Sequence, residues 1–149
     1  MSNNDSTAVS TRITQTGEDQ FDVICQEEEA NQTGGDSWTN DHADETVGFV
    51  VTEPRSGDVG GSGESIASSL STGDWSTSSL QDSYTDTPAM VHRMQSLFGR
   101  NTADVRIKNV SSSTFDIMTQ EEQSSDSETG HVREYVATMA FEPGAIDAK

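Results

Sequence analysis

Lysine is almost absent from this chain. Of its 149 residues only Lys108 and Lys149 are lysines, and eight Lys and Arg stand against 26 Asp and Glu, for a formal net charge of −18. Such a surface lacks the clustered cations that hold phosphate backbones or anionic lipids, so nucleic acid and membrane are not expected partners. Cys25 is the single cysteine, which excludes an intrachain disulfide, and its strand-like setting suits a small buried side chain better than a reactive thiol. No apolar run approaches the ~20 residues of a transmembrane helix. Residues 1 to 10 have neither the basic start nor the apolar stretch of a secretion signal, so a soluble chain is expected, with no classical route out of the cell. Helix signals are also missing, because no stretch sustains a capped apolar period of 3.6 residues. Catalytic signals are equally scarce. There is no Gly-x-Ser-x-Gly elbow, and Gly60-Gly61-Ser62-Gly63 lacks the lysine and helix of a phosphate loop. The expectation is a protein that is not an enzyme and carries no cofactor.

An acidic chain with 6% aromatics has the composition of a disordered one, since it has little apolar surface to offset chain entropy. A different explanation of the charge is adaptation to molar salt, where the Debye length falls to about 3 Å and carboxylate repulsion is screened. Scarce lysine with abundant Asp, Glu, Ser and Thr fits a halophilic surface, and an ordinary acidic protein is the alternative.

Disorder is disfavoured because the chain repeats itself. Arg12-Ile13 and the run Phe21 to Glu28 return as Arg106-Ile107 and Phe115 to Glu122, an offset of 94 residues. The match resumes from His42 to Pro54 against His131 to Pro143, at an offset of 89. The intervening loop is therefore five residues shorter in the second copy. A fixed internal period defines a structural unit. Here that unit is about ninety residues, and the segment from Gly57 to Asn101 has no earlier counterpart. The order is back half, front half, back half.

The periodicity of two predicts strands. They are expected at Val9 to Thr14, Phe21 to Gln26, Thr46 to Val51, Ser65 to Leu70, Thr87 to Leu97, Val105 to Val110, Phe115 to Gln120 and Tyr135 to Phe141. Pro54 and Pro143 sit where strands should stop. Short strands divided by turn residues predict an all-β antiparallel sandwich with this organisation: residues 1–56 as a partial β repeat, 57–64 as a Gly/Ser linker, and 65–149 as a complete unit.

Two groups of residues invite chemistry. Glu27 with His42, and Glu121 with His131, are candidate divalent-metal ligands. Adjacent glutamates on a strand point to opposite faces, so at most one of each pair joins its histidine, and a hydrogen-bonded structural role is favoured with no metal bound. Trp38 and Trp75 are candidate platforms for stacking on a sugar. The favoured alternative has Trp75 capping the core and Trp38 packing a long loop.

The run Asp82 to Val91, then Asn101 to Val110, then Phe115-Asp116-Ile117 with Gln120-Glu121-Glu122, and finally His131 to Phe141, resembles the H-type lectin-like domain family over about residues 65 to 145. Residues 1 to 56 resemble only its later part. The resemblance implies a six-stranded antiparallel sandwich that forms a homotrimer and binds N-acetylgalactosamine-type sugars between subunits. Three strands are too few for an independent core, so something must complete the partial repeat. The leading expectation is a structural assembly protein of a virus infecting halophilic archaea (a capsid decoration, spike or tail component), assembled in the host cytoplasm and extracellular as part of the particle. Its partners would be itself and other virion proteins. The competing expectation is a lectin-like adhesin for a host surface glycan.

Overall fold

The computed structural model describes residues 9–31, 42–53 and 63–144. It is all-β, with antiparallel sheets. The strands are β1 (Val9–Thr16), β2 (Phe21–Glu27), β3 (Gly63–Ser71), β4 (Ser76–Ser79), β5 (Ala89–Met94), β6 (Ala103–Lys108), β7 (Thr114–Glu121) and β8 (Glu134–Phe141). β1 and β2 form a separate hairpin, and the other six form two three-stranded sheets with orders β3-β8-β5 and β4-β7-β6.

β8 shows why the two sheets pack. Glu134, Val136, Thr138 and Ala140 are buried and alternate with more exposed neighbours, so one face of the strand meets the opposing sheet. Val136 and Ala140 join Leu80, Tyr84, Met94, Ala103, Phe115 and Ile117 in one core, edged by Ile66, Met90, Val105, Ile107 and Val110. Two polar groups fix the loop entering the core. The Tyr84 hydroxyl donates to the Ala140 carbonyl at 3.2 Å, and the buried Glu64 carboxylate accepts the Gln81 amide at 2.7 Å. Burial, followed by the nearby Glu64 charge, pushes the Tyr84 phenol well above its ordinary range.

The β1–β2 and β6–β7 hairpins share one register. Arg12 lies opposite Ile24 and Ile13 opposite Val23, as Arg106 lies opposite Met118 and Ile107 opposite Ile117. β1 alone departs from this, with an irregularity between Ile13 and Gln15.

Four expectations change. Residues 46 to 53 form no strand, although they repeat β8; Phe49 among them meets the Phe21 ring edge to face at 4.9 Å. β4 was not anticipated, since Ser76-Thr77-Ser78-Ser79 has no apolar alternation; it pairs with Thr114 to Ile117. The strand expected over Val105 to Val110 lies two residues earlier. It stops before Asn109, whose φ of 50° is left-handed backbone that asparagine tolerates better than most residues. β3 likewise starts at Gly63, inside the expected linker.

Candidate functional site: the repeated carboxylate and histidine cluster

The sequence builds one cluster twice. In the second copy Glu121 ends β7, His131 lies in the following loop and Glu134 opens β8. The His131 ring presents Nδ1 to Glu121 Oε2 at 3.9 Å and Nε2 to Glu134 Oε1 at 3.2 Å. In the first copy His42 presents Nδ1 to Glu27 Oε1 at 3.5 Å and Nε2 to Glu45 Oε1 at 3.4 Å. The same ring nitrogen meets the equivalent carboxylate in each. Strand alternation also separates the paired glutamates, because Glu122 points away from His131 and accepts the Glu29 amide at 3.0 Å and the Ser124 hydroxyl at 2.6 Å.

Glu27 with His42 and Glu121 with His131 are thus brought together as the sequence proposed. Glu45 and Glu134 were missed, though His42-Ala43-Asp44-Glu45 and His131-Val132-Arg133-Glu134 keep one His-x-x-Glu spacing. Among the described residues, no group of three or more His, Cys, Asp or Glu could hold a metal ion.

The second cluster also receives Arg12. Its guanidinium reaches Glu134 Oε1 at 2.5 Å, and the two side chains are 1% and 0% exposed. The other end donates to Gln26 Oε1 at 2.9 Å and to the Asn101 carbonyl at 3.3 Å. Gln26 in turn donates to the Arg100 carbonyl at 2.8 Å. Around this centre Arg93 donates to the Thr11 hydroxyl, the Thr102 hydroxyl donates to the Glu27 carbonyl, and the Ala30 amide donates to Ser124 Oγ at 2.9 Å. These contacts seat the partial repeat on the complete unit.

Glu134 is prepared for that role by its own surroundings. Its carboxylate accepts the Ser96 hydroxyl at 2.5 Å, the Phe98 amide at 2.9 Å and the Gly99 amide at 2.8 Å. Burial by itself would raise its pKa, but His131, the Gly99 amide, Ser96 and the Phe98 amide outweigh burial and hold it down to about 2. A carboxylate fixed by this many donors remains ionised in the interior, which gives the buried Arg12 a permanent counter-charge. Burial also pulls Arg12 below its ordinary value, and Glu134 offsets part of that effect. Glu29, beside the same junction, behaves oppositely. Burial and the neighbouring Glu121, Asp126 and Glu122 push its carboxyl up to about 7.

No protein-family model, curated protein or solved structure matches this chain.

The counterpart of Arg12 is Arg106. Its Nε donates to Gln120 Oε1 at 3.1 Å, as Arg12 donates to Gln26, but Arg106 is exposed. Identical strand register thus yields one buried and one solvated arginine. Only the first has a unit packed over it.

Trp75 is 42% exposed and does not belong to the core, contrary to the expected capping role. The Lys108 ammonium lies 3.9 Å from its ring centroid, a cation-π contact that occupies one face. Trp38 lies outside the described residues. Aromatic surface is also open at a cavity of about 520 Å³ lined by Leu70, Phe98, Val132, Arg133 and Tyr135. There Phe98 and Tyr135 meet edge to face at 5.6 Å.

Proposed function

We propose that the chain is a non-enzymatic assembly module of a virus particle from a halophilic archaeal host, serving as a capsid decoration, spike or tail component. The observation that carries this reading is residues 46 to 53. They repeat the central strand β8, yet they belong to no sheet and leave Phe49, Val50 and Val51 68%, 75% and 70% exposed. Monomeric proteins rarely leave contiguous apolar surface open, so this surface favours a covering partner. The acidic, lysine-poor surface fits work in concentrated salt, where screening permits copies of charge −18 to approach. The likeness to H-type lectin-like domains adds a homotrimer, with other virion proteins as further partners. An adhesin reading would use the Trp75 ring face that Lys108 leaves open.

The test is light scattering behind size-exclusion chromatography in about 3 M salt and again in about 0.15 M salt, spanning a several-fold change in Debye length. Self-assembly predicts a mass of three chains in high salt and dissociation in low salt. A monomer in both overturns self-assembly.

A further inference from the structure

The two sheets of the sandwich differ on their outer faces. β6 alternates as a strand with one solvated face should, with Asp104, Arg106 and Lys108 exposed and Asp116 of β7 opposite Lys108. β8 does not. Its buried residues are Glu134, Val136, Thr138 and Ala140, and the outward positions between and beyond them hold Tyr135, Ala137, Met139 and Phe141. Register adds Leu70 opposite Tyr135, Val91 opposite Met139 and Ala89 opposite Phe141, and directly opposed residues share a face. Leu70, Val91 and Tyr135 are 48%, 55% and 40% exposed, and Phe98, whose ring meets Tyr135, is 60% exposed. A strand apolar on both faces has the pattern of one buried on both.

Charge singles out the same surface. The chain carries 26 Asp and Glu, yet the only acidic residues of β3, β5 and β8 are Glu64 and Glu134, and both are 0% exposed. The strands of this sheet therefore present no carboxylate outward. The exposed Arg133 stands at one end of the face, where it lines the cavity with Leu70, Phe98, Val132 and Tyr135. Copies of charge −18 repel one another where carboxylates meet, and here the strands bring none. The occupant this combination fits is the same face of another copy. Its apolar stripe supplies matching surface, and its Tyr135 and Phe98 rings supply a seat for Arg133 through cation-π contact.

We propose that the outer face of the β3-β8-β5 sheet is the surface through which copies of this chain pack on one another, with Leu70, Val91, Phe98 and Tyr135 buried in the contact and Arg133 of each copy set against the aromatic rings of the next. The inference rests on the assembly reading and names the surface it uses. Side chains of adjoining faces interdigitate as those inside a sandwich do. Three such faces turned toward a threefold axis suit the homotrimer of that reading, and like residues of neighbouring copies then lie near one another. Association strengthens with salt, because screening relieves the repulsion between acidic chains while apolar burial persists.

The test uses full-length chains carrying Cys25→Ser in about 3 M salt, well beyond the 1 M at which the Debye length is already about 3 Å. Chains with Val91→Cys, on the proposed face, and chains with Ser79→Cys, exposed on β4 of the other sheet, are each treated with a short bis-maleimide and weighed by mass spectrometry. The expected products are linked chains from Val91→Cys and single chains from Ser79→Cys. In parallel, Val91→Asp with Tyr135→Asp is expected to reduce the scattering mass to that of one chain. Its thermal melt should be preserved at low salt, since both side chains are exposed in the single chain. A wild type that oligomerises while Val91→Cys gives no link and the paired aspartates leave the mass unchanged overturns this surface and leaves the assembly reading intact. A wild type that is monomeric in high salt overturns both.

Discussion

The Arg12 guanidinium lies 2.5 Å from the Glu134 carboxylate, 122 residues away in the chain, and the two charges are sealed from solvent on opposite sides of the junction between the repeats. Removing one partner of a buried pair leaves the other unpaired, which costs roughly 3–5 kcal/mol. Arg12→Ala is therefore expected to release the β1–β2 hairpin, read as loss of amide protection in residues 9 to 27 with β7 and β8 still protected. Arg12→Lys should rescue little, because one ammonium cannot hold Glu134, Gln26 and the Asn101 carbonyl in their present geometry. Unchanged hairpin protection in Arg12→Ala would show that the pair does not fasten the repeat.

Glu134 gives the junction an acid limit. Its folded pKa of about 2 lies below the ordinary carboxyl value near 4.3. The stability it contributes is complete above the unfolded pKa and is lost as pH falls through the folded one. The shift corresponds to roughly 3 kcal/mol as an order of magnitude. Chemical denaturation between pH 5 and pH 2 should show this decline, and Glu134→Gln should flatten it from a lower starting stability.

Glu29 works against the junction at neutral pH. Its raised pKa of about 7 means the folded state retains a proton that the unfolded state has lost, so stability falls as pH rises from about 4.5 to 7. After discounting for its partial exposure, Glu29→Gln should raise the melting temperature by roughly 2–4 °C at pH 8, the shift expected for about 1 kcal/mol. The gain should disappear at pH 4. Equal gains at both values would locate the effect elsewhere.

Gly99 has no room for a side chain. A Cβ there would stand 2.5 Å from His131 Nε2 and 2.8 Å from Val132, beside the amide that donates to Glu134. Gly99→Ala should displace the His131 ring and cost about 1–3 kcal/mol, as overpacking does. Loss of the native His131 ring shifts in an NMR spectrum would check the displacement, and a variant that keeps wild-type shifts and stability would refute it.

Both repeated hairpins were legible in the sequence, because Phe21 and Phe115 start strands of the same pattern and their partners keep the same offset. The fate of residues 46 to 53 was not legible. Their alternation is that of a strand, but pairing depends on neighbours that local pattern cannot report. β4 escaped notice for the converse reason, since its serines and threonine have no apolar alternation and join β7 through hydrogen bonds, the Thr77 hydroxyl to Asp116 among them. The site was half visible. His42 and His131 with Glu27 and Glu121 stood out, while Glu45 and Glu134 lay in a His-x-x-Glu spacing that reasoning about adjacent glutamates passed over. Arg12 could not be read as buried, because an arginine alternating with Ile13 has the pattern of a solvated face until Glu134 meets it.

The shared register of the two hairpins gives this molecule an internal reference state. Arg12 with Gln26 and Arg106 with Gln120 are the same diagonal pair, one enclosed and one wet. Truncating Arg106 reports what the pair is worth to a hairpin alone, and truncating Arg12 reports that quantity plus the adhesion between repeats. Their difference isolates the adhesion, with strand propensity, side-chain entropy and denatured-state effects largely cancelling within one polypeptide.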